Sequence, residues 1–252
     1  MPYADSNGYA IYYETEGSGA PLLLHHGLTM SIDDWRNIGY VEALKKDYRL
    51  ILISPLGHGI SDKPHTPEAY TSKQRVSDIV AVLDEVEIKR AQILGYSLGG
   101  RAALELVAYC PDRVISAAIG GIGPVFKEPS PMKASLESGV DSWIELVKKS
   151  AWPCTPEWES RARENDFEAL LALLNNPMEC LRSKILSTNT PTLFYIGDKD
   201  FNYTLVDGYV EDIPNSEKLV LKGVDHIGGF LEIDKILPAI SKFLKKTGSN
   251  RQ

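Results

Sequence analysis

Short apolar runs alternate along this chain with stretches of helical periodicity, and that alternation narrows the fold more than any other feature. Strands are predicted near 9–15, 20–25, 48–53, 91–95, 114–119, 191–196 and 217–222, and helices at about 33–46, 71–86, 98–110 and 230–246. Strands joined through helices pair in parallel, and a parallel sheet has to be covered on both faces. The expected class is therefore α/β, a mostly parallel sheet with helices on both faces. At 252 residues, 43% apolar and 24% charged, the chain can bury one large core, and no second independent domain is expected.

Within that frame, Gly95-Tyr96-Ser97-Leu98-Gly99 carries the chemistry. The run Ala91-Gln92-Ile93-Leu94 reads as a buried strand and Arg101 to Val107 as a helix, so Ser97 falls on a strand-to-helix elbow. A tight elbow pushes its central residue toward positive φ, and glycines on either side remove the Cβ atoms that would clash there. Ser97 would then stand at a helix N-terminus, where free N–H groups and the helix dipole favour the negative charge formed when an acyl carbonyl is attacked.

A serine hydroxyl needs a general base, most often a histidine oriented by a carboxylate. On an α/β sheet the chain order is Ser, acid, His, and of the histidines at 25, 26, 58, 65 and 226 only His226 follows Ser97. It lies in a glycine-punctuated loop, Lys222 to Gly229, between an apolar strand and the C-terminal helix. For the acid, the predicted strand Pro191 to Gly197 runs into Asp198-Lys199-Asp200. Asp200 is far enough into the loop to turn back toward His226 and is assigned as the acid. Asp198 is expected to cap the turn and stands second, with Asp225 third.

The oxyanion donors are expected from two backbone amides. The strand Leu22-Leu23-Leu24-His25 ends in His26-Gly27, which lets the N–H of Leu28 point at the same oxygen as the N–H of Leu98, the residue after the nucleophile. His25 and His26 are not read as metal ligands, since no Cys, Asp or Glu lies at ligand spacing nearby, and no metal site is assigned.

Taken together, the His-Gly segment, the G-x-S-x-G elbow, the G-x-x-D loop and the late histidine resemble the α/β-hydrolase superfamily, in particular its small serine hydrolases, over roughly residues 8–246. Gly57-His58-Gly59-Ile60-Ser61-Asp62-Lys63-Pro64 resembles the family's G-x-G-x-S-D-x-P turn. One departure stands out. Family members usually carry Asp at the preceding strand end and Arg two residues later, where this chain has Ser54 and Leu56, which puts the loop at the pocket mouth and its preference in question.

The resemblance implies acyl transfer through an acyl-enzyme on Ser97, with His226 as base, Asp200 as its orienting acid, and no cofactor. Serine rather than Asp at the elbow separates the chain from the dehalogenases and epoxide hydrolases that resemble this fold. His26-Gly27-Leu28-Thr29-Met30 lacks the further glycines and proline of carbon–carbon bond hydrolases and the proline of perhydrolases. A carboxylic ester hydrolase, a serine esterase, leads. A lactonase or enol-lactonase would use the same residues, and a ligand-binding receptor on the same scaffold is the rival from another class.

Residues 124–190 break the alternation with helical periodicity and no convincing strand. They read as a helical cap inserted into a core formed by 1–123 and 191–252, folding over the carboxyl ends of the strands. The cap holds Trp143, Trp152 and Trp158, three of the chain's four tryptophans, with Phe126, Met132, Phe167 and Met178. These form either an apolar pocket for an acyl or aryl group or the cap's own small core. Lys127, Lys133, Arg161, Arg163 and Arg182 read as solvated surface, although a carboxylate-bearing substrate stays open.

A formal charge of −7 with no long basic run argues against nucleic acid or an anionic membrane as partner, and leaves a small-molecule ester or lactone. Cys110, Cys154 and Cys180 are odd in number and scattered, as in reduced cytoplasmic proteins. The N-terminal residues have neither a basic start nor an apolar core, so no signal peptide is expected, and no apolar run is long enough to span a bilayer. Oligomeric state is not encoded in any of these features.

Overall fold

The apolar runs pair into one eight-stranded sheet. A computed structural model describes residues 2–125 and 131–249. The strands are β1 (Tyr3–Ser6), β2 (Tyr9–Glu16), β3 (Ala20–His25), β4 (Tyr48–Ile53), β5 (Ala91–Tyr96), β6 (Val114–Gly120), β7 (Thr192–Gly197) and β8 (Ser216–Leu221). Their order across the sheet is β1-β2-β4-β3-β5-β6-β7-β8. The pairs β1/β2 and β2/β4 are antiparallel and all others parallel.

The first strand eludes the sequence reading because it is four residues long with only alternate side chains buried. It is joined to β2 through Asn7 and Gly8, at φ 56° and 88°, the pair of positive φ values that lets a two-residue turn follow the twist of a hairpin. The central strands read clearly because they are buried on both faces; every residue of β5 and of β7 is buried.

Alternate side chains divide two cores between the faces of the sheet. Leu23, Ile51, Ile53 and Ile93 belong to one, with Val76, Ile79 and Leu83 of α3 (Ser72–Glu85) and Ala103 and Val107 of α4 (Leu98–Tyr109). Leu22, Leu24, Leu50, Leu52 and Leu94 belong to the other, with Trp35, Tyr40 and the helix at 233–249. The predicted helix 33–46 is in fact two, α1 (Ile32–Asn37) and α2 (Tyr40–Leu44), because Gly39 adopts φ 99° between them. The predicted C-terminal helix 230–246 is likewise split, into α11 (Gly228–Leu231) and α12 (Ile233–Ser249).

A buried polar cluster locks α4 to α3. Arg101 Nε donates to Glu105 Oε1 at 2.8 Å, Arg75 donates to both Glu105 oxygens at 2.6 and 2.7 Å, and Ser72 Oγ donates to Oε1 at 2.8 Å. Burial pushes the Glu105 carboxyl up more than any one partner pulls it down, but the Arg75 hydrogen bonds, the Arg75 and Arg101 charges and the Ser72 hydroxyl together hold the group below its ordinary value. The cluster fixes the helix that begins at Ser97.

Between β6 and β7 lie α5 (Pro131–Glu137), α6 (Val140–Lys148), α7 (Pro156–Arg163), α8 (Phe167–Asn175) and α9 (Arg182–Leu186). The Thr155 hydroxyl caps α7 by accepting the Trp158 N–H at 3.2 Å, and Asp166 caps α8 by accepting the Ala169 N–H at 3.0 Å. Phe126 and Lys127 lie outside the described residues. An additional helix, α10 (Tyr203–Val210), follows β7 where no helix was predicted. Among the described residues no helix is long and apolar enough to cross a membrane.

Candidate active site

The carboxyl ends of β5, β7 and β8 bring three side chains together. Ser97 follows β5 and sits at φ 54°, ψ −112°, a conformation that costs a non-glycine residue about 1–3 kcal/mol unless its surroundings impose it. They do impose it. Ser97 N–H donates to Gly120 O at 2.8 Å, and a Cβ at Gly99 would lie 1.9 Å from the His25 carbonyl oxygen, so only glycine lets α4 start this close to β3. Asp200 follows β7, with its N–H on Gly197 O at 3.1 Å. His226 follows β8 in the loop predicted for it.

The three meet in one hydrogen-bonded line. Asp200 Oδ2 lies 2.7 Å from His226 Nδ1, and His226 Nε2 lies 2.9 Å from Ser97 Oγ. The carboxylate can only accept, so Nδ1 carries the proton and Nε2 turns its lone pair to the serine hydroxyl. The other Asp200 oxygen accepts the Asn202 N–H at 2.8 Å, and Asn202 Nδ2 in turn donates to Gly121 O at 2.9 Å.

The two competing carboxylates are engaged elsewhere. Asp198 does not cap its own turn; it reaches the next loop, accepting the Gly223 N–H at 2.7 Å. Asp225 accepts the Gly228 N–H at 2.7 Å at the start of α11.

Two aromatic rings pack on the histidine. Phe201, 45% exposed, lies 4.6 Å from the His226 ring centroid, and the buried Tyr96 ring lies 5.6 Å away. The Tyr96 hydroxyl donates to the His226 carbonyl oxygen, and burial drives the phenol well above its usual range, so it stays a donor. Tyr96 is a positioning side chain that the sequence reading passed over, although it occupies the second place of the elbow motif.

Leu28 and Leu98 line the space beside Ser97. Leu98 opens α4, where the first N–H groups have no intrahelical acceptor, and neither Leu28 N–H nor Leu98 N–H is bonded to a described residue. The Gly27–Leu28 peptide is pinned from behind, since its carbonyl oxygen lies 2.9 Å from His26 Nδ1 and accepts the Met30 N–H at 3.3 Å. Burial lowers the basicity of His26 far below that of free histidine and takes His25 and His58 down to about 4, so all three are neutral near pH 7. At the departure from the family turn, Ser54 Oγ donates to His58 O at 3.1 Å, and Ser61 Oγ donates to Ser54 O at 2.6 Å. Leu56 is buried in the core.

The space above Ser97 lies between the sheet and α5–α9. On one side it is walled by Met30, Tyr96, Trp143, Trp152, Trp158 and Phe230, and on the other by Ile122, Leu174, Met178 and Phe201. The tryptophans line the cavity, and in place of a separate core of the cap Trp143 is packed in the main core, with Trp152 and Trp158 against its edge. Phe167 packs against that core.

Arg161 is not the solvated side chain expected. It grips Asp34, which borders the cavity, through Nη1 at 2.9 Å and Nη2 at 2.6 Å, and donates to Ser31 Oγ at 2.8 Å. Burial raises the Asp34 carboxyl above its ordinary value, with the Arg161 charge and the Ser31 N–H pulling the other way. Among the described residues no cluster of His, Cys, Asp or Glu could hold a metal ion.

Comparison with known proteins places this architecture. A family model of the alpha/beta hydrolase fold matches residues 20–148, just over half of the chain. The chain belongs to the α/β-hydrolase fold family. Curated relatives match less than half of this chain and less than half of their own length. A non-heme chloroperoxidase of Streptomyces lividans is 33% identical over 124 residues, 48% of this chain and 44% of its own. A cis-3-alkyl-4-alkyloxetan-2-one decarboxylase of Shewanella oneidensis is 32% identical over 114 residues, 44% of this chain and 35% of its own. Among solved structures, an enol-lactonase from Burkholderia xenovorans LB400 superposes with TM-score 0.83 at 22% identity, covering 97% of this chain and 100% of that one. An esterase from Rhodococcus sp. ECU1013 superposes with TM-score 0.84 at 24% identity, covering 97% and 98%. At such identities the likeness speaks to the fold alone.

Proposed function

We propose that this α/β hydrolase is a serine esterase, cleaving small carboxylic esters through an acyl-enzyme on Ser97. The observation that carries the reading is the line Asp200–His226–Ser97, at 2.7 and 2.9 Å, in a cavity also lined by Leu28 and Leu98, whose N–H groups are bonded to no described residue. His226 Nε2 takes the Ser97 proton as Oγ bonds to the substrate carbonyl carbon, and the N–H groups of Leu28 and Leu98 receive the oxyanion. Collapse of the tetrahedral species breaks the bond to the alcohol oxygen, which leaves with the proton from His226. Water then attacks the acyl-enzyme with His226 again as base, freeing the carboxylic acid and restoring Ser97. Asp200 keeps the proton on Nδ1 and stabilises the imidazolium when it forms.

Residues 124–190 act in this reading as a cap that controls access to Ser97, and the aromatic wall of Trp143, Trp152, Trp158 and Phe230 receives a compact acyl or aryl group. Lactones need no other machinery. Hydrolysis of short and aryl p-nitrophenyl esters, with lactones in parallel, tests the proposal. Turnover in the wild type and none in Ser97→Ala supports it. Turnover surviving in Ser97→Ala contradicts it, and a wild type that turns over no ester or lactone turns the reading toward a binding protein on the same scaffold.

A further inference from the structure

Thr29, next to the Leu28 amide, holds a backbone conformation that its side chain disfavours. It sits at φ 62°, in the left-handed region that a β-branched residue rarely adopts, inside a turn closed by the Met30 N–H on Gly27 O at 3.3 Å. Its N–H donates to His58 Nε2 at 3.3 Å, its hydroxyl to Leu28 O at 2.6 Å, and its carbonyl accepts Asn165 Nδ2 of the segment after α7 at 3.3 Å.

His58 is a rigid acceptor. The residue is fully buried, its N–H donates to Pro55 O at 2.9 Å, its carbonyl accepts Ser54 Oγ, and its ring packs edge-on against His26 with centroids 5.3 Å apart. The neutral ring, with Nδ1 facing Leu56 O at 3.4 Å, offers the Nε2 lone pair in one direction only. Rotating the Leu28–Thr29 peptide to relieve Thr29 would swing its N–H away and strand a buried donor and a buried acceptor. The Leu28 N–H lies on the adjoining Gly27–Leu28 peptide of the same turn, so the rotation would also disturb the turn that carries it beside Ser97.

We propose that His58 is a positioning residue for the reaction, holding the Gly27–Met30 turn in the strained form that presents the Leu28 N–H to the developing oxyanion. This rests on the reading of Ser97 as nucleophile and of the Leu28 amide as oxyanion donor. It gives the buried turn after β4 a part in rate rather than in substrate binding, because an oxyanion donor is used fully only in the transition state.

The test compares wild type, Ser97→Ala, His58→Leu and the double variant His58→Leu/Thr29→Gly. The readouts are ester turnover and inhibition by an aryl trifluoromethyl ketone, which forms a tetrahedral adduct with a serine hydroxyl. In His58→Leu, kcat falls by about 10- to 100-fold, KM stays within about threefold, and ketone affinity falls by the same factor as kcat. Thr29→Gly in that background restores most of the loss, since glycine holds a positive φ without penalty; a general packing defect would move KM and show no such rescue. A folded His58→Leu with wild-type kcat and ketone affinity, or a double variant without rescue, overturns the proposal. If His58→Leu does not fold, His58→Gln takes its place: its side-chain oxygen reaches the Nε2 position and must keep kcat within about threefold, and a larger loss in the folded protein overturns the proposal. Failure of the underlying reading looks different: the ketone then does not inhibit the wild type, or Ser97→Ala retains turnover.

Discussion

The two walls of the active-site cavity are built by different means. On the sheet side, Ser97, Asp200 and His226 are held by backbone: strand ends in parallel register, a helix packed against β3 through Gly99, and turns closed by N–H to carbonyl bonds. On the side of α5–α9, apart from apolar packing and one backbone bond from Leu181 N–H to Pro124 O, the attachments to the sheet side among the described residues run largely through side chains, among them Arg161 on Asp34, Asn165 on Thr29, His65 on Asp166, Asn176 on Pro67 O and Arg101 on Glu179 O. Backbone register permits almost no drift, whereas a few side-chain bonds can change without altering the fold. In the proposed reading the chemistry is thus placed on the rigid wall and the shape of the substrate space on the adjustable one.

Asp200→Asn breaks the rigid wall's function without touching its frame. By analogy with the loss of the orienting acid in serine hydrolases, kcat should drop by about 10⁴-fold. Asp198→Asn should leave kcat within about threefold, because among the described residues its carboxylate is bonded to the Gly223 N–H and not to His226. Steady-state ester kinetics on the two variants checks the contrast, and the reverse ranking would reassign the acid.

Gly99→Ala attacks the frame itself. A methyl group 1.9 Å from the His25 carbonyl oxygen forces backbone to move between β3 and α4, for a stability loss of about 4 kcal/mol or more in urea unfolding. A small loss would show that α4 is less tightly seated than described.

Arg161→Leu probes the adjustable wall. Leaving the buried Asp34 carboxylate without its guanidinium costs about 1–3 kcal/mol, and the change should appear more in KM than in kcat. Asp34→Asn, which removes the buried charge, should cost less. Equal effects of Arg161→Leu on kcat and KM would mean that the pair reaches the chemistry directly.

The smallest effect concerns His65, which pairs with Asp166 at 3.0 Å and with Glu168 at 3.1 Å. The Asp166 hydrogen bond raises the imidazole above its free value, so the folded state favours the protonated ring. Its contribution is complete below about pH 6.5, the unfolded value, and is lost as pH rises through the raised folded value. Proteolytic nicking of residues 131–186 should therefore be slightly faster above that range than at pH 6, and His65→Ala should flatten the difference.

The same contrast explains what could be seen in the sequence. The elbow, the late histidine and the G-x-x-D loop were legible because backbone geometry demands particular residues at particular places, above all glycine at 95 and 99, and because chain order on a parallel sheet leaves His226 as the only base after Ser97. Seven of the eight strands were legible, the central ones as continuous buried apolar runs. Arg161 was not, since nothing local marks a side chain whose partner lies 127 residues away. Nor was the role of His58, which depends on the φ of Thr29. The helix predicted across 33–46 missed its break because one glycine weakens a helical pattern without erasing it.

The central claim is that Ser97 is an activated nucleophile. Reaction with a fluorophosphonate, followed by intact-mass measurement and peptide mapping, tests it most directly. The account predicts one adduct per chain, on Ser97, absent from Ser97→Ala and strongly slowed in His226→Ala. A wild type that takes up no label, or takes it up on another residue, would contradict it.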